Sequence, residues 1–405
     1  MERRIERVAP KAREYIEEVL SYGFHNTTSV GVTARLEAAF ARKFGVRYAM
    51  SHANGTVTMH SALAACGVGP GDEVIVPPLT AGATGLVVLH ANAVPVFADI
   101  DPRTFTIDPE DVRRKVTSRT RAVIPVALYG LAPDLDPIME IARERRLTVI
   151  EDNAQCFLGR YKGRTVGSIG HCASFSFQAS KHMTCGDGGI LISDDETLAT
   201  AARRVSSFGY ASVSARPGAA TMPEAERCSP AARRHVTMGY NFRLPEIAAA
   251  VALAELERLE DLVAMRTACA EAFRQAVSGC PWIVPQEVPQ GTVHAWWTFV
   301  FRIVDGGPDW AELRRQFVER GGDGFYGAWR PTYREPVFET LSAEVAARPG
   351  RFPHLAGVMP DYREVHCPVT ERIQPRLVHM KTNYFDLDEA ERQAGILSET
   401  IRHFS

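Results

Sequence analysis

A mixed, mostly parallel sheet sandwiched by helices and followed by a smaller α+β C-terminal domain is the α/β fold that two features of the sequence predict. Short apolar runs alternate with helix-length segments from residue 46 onward. That βαβ rhythm calls for parallel strands covered on both faces. Beyond residue 265 the pattern changes, mixing a strand candidate at 294–304 with helix candidates at 308–320 and 387–404.

Taken in order, residues 8–44 read as two amphipathic helices joined through 21–28. Leu36, Phe40 and Phe44 recur at four-residue spacing, which puts them on one face. Strand candidates follow at 48–50, 73–76, 95–98, 122–126, 147–150 and 173–177. Helix candidates lie between them at 56–66, 82–92, 108–116 and 134–146. Residues 188–193 suggest a hairpin return. Residues 211–235, rich in Ala, Pro, Ser and Arg, form a long excursion of the kind that in a compact domain is functional or disordered. A strong helix over 245–265 bridges out of the first domain. The expected division is an N-terminal helical segment (1–24) packing on the small domain, a large domain (25–255) and a small C-terminal domain (256–405). There is no internal repeat and no low-complexity tail.

Composition narrows the function classes. The 405 residues carry a net charge of −2, which gives no reason to expect nucleic acid or an acidic membrane surface as partner. The eight cysteines are scattered, with no C-x-x-C pair and no His/Cys cluster at zinc spacing, so no metal site is expected. Residues 1–7 are too charged to lead into a secretory apolar segment, and no apolar run reaches transmembrane length. The expectation is a cytoplasmic protein.

The chemistry gathers around Lys181. Only six of the 46 basic residues are lysines, and this one follows an alternating apolar run, at a strand end where α/β folds place their ligands. Lysine, unlike arginine, can lose its proton and attack a carbonyl carbon. Alone, the residue is equally readable as a solvated loop lysine. Asn54-Gly55-Thr56 opens the helix candidate at 56–66. Alone it is an ordinary Asn-Gly turn with a Thr cap, or an anion site at a helix N-terminus. Asp152, in Glu151-Asp152-Asn153-Ala154-Gln155, ends a buried strand and needs a cation or several donors. Alone it suits a metal ligand, a helix cap or a catalytic group. Ser176 lies five residues before Lys181. Gly239-Tyr240-Asn241-Phe242-Arg243-Leu244 is a polar turn before the long helix.

Together these residues fit pyridoxal 5′-phosphate. Its aldehyde requires a lysine, its ring nitrogen an acidic partner, and its phosphate a helix N-terminus with hydroxyls. A dinucleotide fingerprint is absent after any strand, since Gly67-Val68-Gly69-Pro70-Gly71 follows a helix. Neither a Walker A sequence nor a G-x-S-x-G elbow occurs.

Eight stretches in order resemble the pyridoxal-phosphate-dependent sugar and aminocyclitol aminotransferases of the fold-type-I superfamily, the DegT/StrS-like group. They are residues 54–56, 69–77, 94–100, 128–130, 150–155, 161–164, 176–189 and 239–244. The resemblance implies the fold-type-I architecture and a large cofactor-binding domain. It also implies amino transfer from L-glutamate or L-glutamine to a keto-sugar, with or without a nucleotide link, or a keto-cyclitol, in secondary-metabolite or glycan biosynthesis. By the same resemblance Lys181 would link covalently to the cofactor and later shuttle a proton. Asp152 would pair with the ring nitrogen and Gln155 would contact the phenolic oxygen. Gly55, Thr56 and Ser176 would hold the phosphate, and Asn241 would complete the phosphate site of a neighbouring subunit in a homodimer. Two positions depart from the pattern: Thr80-Ala81 stands where an aromatic residue commonly stacks on the ring, and Ala127 where histidine is frequent. Lysine at 181, rather than the histidine of members that dehydrate their substrates, favours transamination. The alternatives are another fold-type-I reaction class (dehydratase, decarboxylase or aldolase) and a non-catalytic regulator.

Overall fold

The computed structural model describes residues 2–24 and 31–404. Part of the expected 21–28 link and the start of the expected large domain at residue 25 lie outside the described residues. The main sheet contains β1 (Tyr48–His52), β2 (Glu73–Val76), β3 (Val94–Phe97), β4 (Thr120–Val123) and β5 (Thr148–Asp152). After a short hairpin, β6 (Arg160–Tyr161) and β7 (Arg164–Thr165), come β8 (Cys172–Ser176) and β9 (Gly189–Ser193). Their spatial order is β1-β9-β8-β5-β4-β2-β3. From β8 to β3 every neighbour is parallel; only β9 runs against its partners, as the hairpin return predicts.

Side-chain alternation sorts the helices onto the two faces. Met50, Val74, Val76, Ile150, Cys172 and Leu191 share a core with α3 (Gly55–Ala65), α4 (Ala83–His90) and α7 (Glu196–Ser206). The intervening residues turn to the other face. Ile75, Val123 and Val149 meet α5 (Pro109–Lys115) and α6 (Leu135–Arg145). Ala49, Phe175 and Ile190 meet α2 (Val32–Phe44). On α2, Leu36, Phe40 and Phe44 are fully buried as their spacing predicts, with Phe40 and Phe44 stacked and both rings against Phe175. Each such burial contributes about 1.5–3 kcal/mol. The first helix, α1 (Lys11–Ser21), lies along α9 (Glu246–Glu257), while the residues before it reach Phe385 and Asp388.

The helix expected over 245–265 is two helices. α9 ends at Glu257 and α10 (Leu259–Ala276) begins after Arg258, whose φ of −112° and ψ of 18° interrupt the turn. Arg258 is held there by its fork onto Glu255 and a bond to the Glu6 carbonyl. The excursion at 211–235 contains one short helix, α8 (Glu224–Cys228), and tucks Val213, Ala215 and Met222 inward.

A second, antiparallel sheet follows the order β10-β12-β14-β13. Its strands are β10 (Ile283–Pro285), β12 (Thr298–Ile303), β13 (Tyr326–Gly327) and β14 (Leu377–Lys381); β11 (Thr292–Val293) pairs instead with β6. Residues 333–362 do not stay with this sheet: Tyr333, Phe338 and Tyr362 return to pack on Phe97 of β3.

β1 is an edge strand, and an ion pair closes it. Glu37 of α2 accepts from the backbone N–H and the hydroxyl of Ser51, while Arg203 of α7 donates to the Ala49 carbonyl. The two side chains also pair at 3.0 Å, at 0% and 1% exposure, and Glu37 takes the Gly218 N–H of the excursion. Free edge groups are thereby covered without another strand. Removing one partner leaves a buried charge alone. Glu37→Ala should lower the unfolding free energy by about 3–5 kcal/mol in a urea titration; a loss below about 1 kcal/mol would show that the edge is closed by something else.

Candidate functional site

Register decides which residues meet. Asp152 lies opposite Ser174 across the parallel β5–β8 pair, so Asp152, Ser174 and Ser176 all point to the face covered by α3 and α4. A cavity of about 990 Å³ opens there, at the carboxyl ends of these strands, and it is lined by Gly55, Thr56, Asp152, Gln155, Ser176 and Lys181, among others. Six of the seven residues singled out in the sequence thus share one cavity. The seventh, Asn241, is exposed and does not line it.

Each of the six is held by local structure. β8 ends at Ser176, and the Lys181 N–H closes a turn on the Gln178 carbonyl at 2.9 Å. Asn54 caps α3 by accepting from the Val57 N–H, which leaves the start of the helix facing the cavity. A Cβ at residue 55 would come within 2.8 Å of Ser176 Cβ, so glycine lets the helix start approach β8. Gln155 Oε1 accepts from the Tyr129 N–H at 2.7 Å, which turns its Nε2 donors toward the cavity. Tyr129 offers that N–H from a left-handed conformation with φ of 64°.

Asp152 and Lys181 are both desolvated. Burial pushes the Asp152 carboxyl above its ordinary value, against the Ala154 N–H, the Thr84 hydroxyl and the charge of Lys181. Burial lowers the Lys181 amine from 10.5 to about 8, with Asp152 opposing and Arg266 assisting. The amine stands 4.7 Å over the Trp297 ring. Glu151, one residue earlier, faces the other way and accepts the N–H groups of Gly167, Ile169 and Gly170.

Three participants escaped sequence reading. Thr84 Oγ1 donates to Asp152 Oδ2 at 2.9 Å from the first turn of α4, where a lone hydroxyl among small residues was the only local mark. Arg266 sits inside a helix, where nothing in the local pattern marks it. His182 beside the lysine bonds the Ala295 carbonyl at 2.8 Å. At Ala81, the position where an aromatic ring was missed, the structure also offers none; the large rings lining the cavity are Trp297, Tyr326 and Trp329.

The model of the DegT/DnrJ/EryC1/StrS aminotransferase family matches residues 8–379. The chain belongs to this family. It is 37% identical over 297 residues, 73% of this chain and 75% of the relative, to a GDP-perosamine synthase of Caulobacter vibrioides. It is similar to the solved aminotransferase from Psychrobacter cryohalolentis, with a TM-score of 0.82, 27% identity and 97% of each chain covered. It is also similar to 3-amino-5-hydroxybenzoic acid synthase, with a TM-score of 0.80, 26% identity, and 99% and 100% covered. Members of the family are aminotransferases that use pyridoxal 5′-phosphate, and the donor set in the cavity suits that group: a nucleophilic amine, an oriented carboxylate, an amide donor, and a helix start beside a serine hydroxyl. No helix among the described residues is long and apolar enough to cross a membrane.

The depressed amine has a stability consequence in the cofactor-free protein. Between about 8 and 10.5 the unfolded chain keeps the Lys181 proton while the folded one has released it. Stability from this group therefore rises with pH across that window and is lowest below it. Compared with Lys181→Met, the wild type should gain about 3 kcal/mol from pH 7.5 to pH 10.5, read from urea titrations. Equal pH slopes in the two proteins would refute the desolvated amine.

Proposed function

We propose that this aminotransferase moves an amino group from L-glutamate or L-glutamine to a keto-sugar or keto-cyclitol, with pyridoxal phosphate held at Lys181. The reading is carried by one observation: Lys181 and Asp152, an amine and a carboxylate that feel each other's charge, line the same cavity. When bound, the cofactor supplies an aldehyde to carry the amino group and a protonated ring to draw electrons from the reacting carbon. Lys181 Nζ, with a proton affinity near neutral pH, takes up and returns the proton that moves during transfer. Asp152, oriented by Thr84 and the Ala154 N–H, holds a proton on the ring nitrogen. Gln155 Nε2, freed by the bond that its Oε1 accepts from the Tyr129 N–H, would donate to the phenolic oxygen. Ser176 Oγ and the first N–H groups of α3 would hold the phosphate.

Asn241 belongs to this scheme through a second copy of the chain. It is exposed and directly follows Tyr240, with Val236 and Met238 (80% exposed) just before, an apolar surface that a homodimer would cover. From there Asn241 would reach the phosphate site of the neighbouring subunit. The eight unpaired cysteines suit the reducing cytoplasm.

For the acceptor, one relative is named for a GDP-linked sugar and another for a hydroxylated aminobenzoate, so both linked and free acceptors are kept. The wall of the second sheet favours a ring. Trp297 and Trp329 are stacked with centroids 6.0 Å apart, and Tyr326 is 67% exposed at the mouth. A sugar or cyclitol face fits such rings, while its hydroxyls reach Asn383 and Lys381.

Two measurements test this reading. Wild-type protein given pyridoxal phosphate should show a near-visible absorbance band that L-glutamate or L-glutamine discharges and a keto-sugar or keto-cyclitol restores; Lys181→Ala should show neither band nor turnover. A band that neither donor discharges would assign the protein to another reaction class. Trp329→Ala should raise KM for the acceptor roughly threefold to tenfold and leave the donor half-reaction unchanged.

A further inference from the structure

Arg266 is the buried cation whose presence the reaction scheme does not explain. It lies in α10 at 6% exposure. Its Nη2 donates to the carbonyls of Ser180 and Lys181, both at 2.8 Å, and its Nη1 to the Trp297 carbonyl at 2.8 Å. A longer bond of 3.4 Å runs to Thr382 Oγ1, which itself donates to the Trp296 and Trp297 carbonyls. Among the described residues no carboxylate pairs with it.

A guanidinium buried on carbonyls alone is costly, since neutral oxygens offset only part of its desolvation. A neutral amide can supply hydrogen bonds to carbonyls without that cost. What only the arginine adds is its charge, and the charge sits against the backbone of Lys181.

We propose that Arg266 is a positioning residue for Lys181: it clamps the lysine turn to the second sheet and places a positive charge that favours the neutral, nucleophilic amine. This role presupposes Lys181 as the reactive amine. The clamp spans the cavity, because Ser180 O accepts from Arg266 and also from Trp297 Nε1, at 2.9 Å, while Trp297 directly precedes β12. The charge acts against a defined opponent. Asp152 on β5 raises the proton affinity of the amine; Arg266 on α10 lowers it, in the same direction as burial. Two imidazoles near this turn are kept neutral by burial, His182 held well below its ordinary value and His294 lowered to about 3, and Asp187 lines the same cavity. Burial brings Arg266 down to about 10, which still leaves it charged at the Lys181 midpoint near 8.

The test is competitive acylation of cofactor-free protein against pH, read peptide by peptide by mass spectrometry. Lys381, which lines the same cavity but pairs with Asp323, serves as the internal reference. In the wild type the Lys181 midpoint is expected near 8, and Arg266→Gln is expected to raise it by about one pH unit with Lys381 unmoved. Arg266→Lys keeps the charge and is expected to hold the midpoint within about 0.3 units of the wild type. A folded Arg266→Gln with an unchanged midpoint overturns the proposal. So does a full-unit rise in Arg266→Lys, even if the glutamine variant does not accumulate as folded protein. Because no cofactor or substrate is present, a failure here is separable from a failure of the transamination reading, which would appear as a band that no amino donor discharges.

Discussion

The site depends on two opposite charges desolvated in one cavity. Asp152 and Lys181 are each driven toward neutrality by burial, and each is drawn back by the other. Neither would be tolerated there alone without several further donors or a counter-charge. Their meeting is a matter of strand register. If β8 slipped by one residue against β5, Ser174 and Ser176 would turn to the α2 side, and the lysine turn would leave the cavity. The near-continuous burial of both strands on both faces is what holds that register.

Much of the surrounding sequence serves this geometry without touching the chemistry. Glu151 ties down the 167–170 loop through three backbone N–H groups. Asp99 does the same for the start of α13 (Pro368–Ile373), accepting from Val369 N, Thr370 N and the Thr370 hydroxyl. Tyr129 holds a strained backbone so that its N–H can orient Gln155, and Gly130 beside it leaves room for Trp296, whose N would lie 2.6 Å from a Cβ. Tyr161 fixes the β6–β7 hairpin to the N-terminal end of α6 through Asp134 and the Asp136 N–H. Several stretches that carry the family resemblance are therefore structural staples. Their order along the chain is informative because it reproduces a scaffold, and the scaffold in turn creates the cavity.

That division explains what was readable in the sequence. The strands and helices of the main sheet have strong local signatures, and β2 spans residues 73–76 as read, with β3 and β8 displaced by one residue. Lys181, Asp152, Gln155, Ser176, Gly55 and Thr56 were legible because each sits next to a strand or helix end, where polar residues interrupt an apolar pattern. The break at Arg258 was not, because it depends on a bond to the Glu6 carbonyl some 250 positions away. Nothing local marks Glu37 or Arg203, and the helix that carries Arg203 was not read from the sequence; only the edge of β1, lying between them, makes both buried. Arg266 escaped for the same reason, since its partners come from three separate segments. The return of Tyr333, Phe338 and Tyr362 onto β3 rests on aromatic contacts that no local periodicity encodes.

The two walls of the cavity differ in kind. The wall from the main sheet is lined by Thr80, Ala81, Ala83 and Ala154, small groups that leave space. The opposite wall carries Trp297, Trp329 and Tyr326, large rings that fill it. Discrimination between acceptors must then come chiefly from the second wall, where shape and apolar area vary. Trp297 belongs to that wall and also donates to the carbonyl of Ser180, the residue before Lys181. The same indole thus closes one side of the cavity and steadies the turn that carries Lys181.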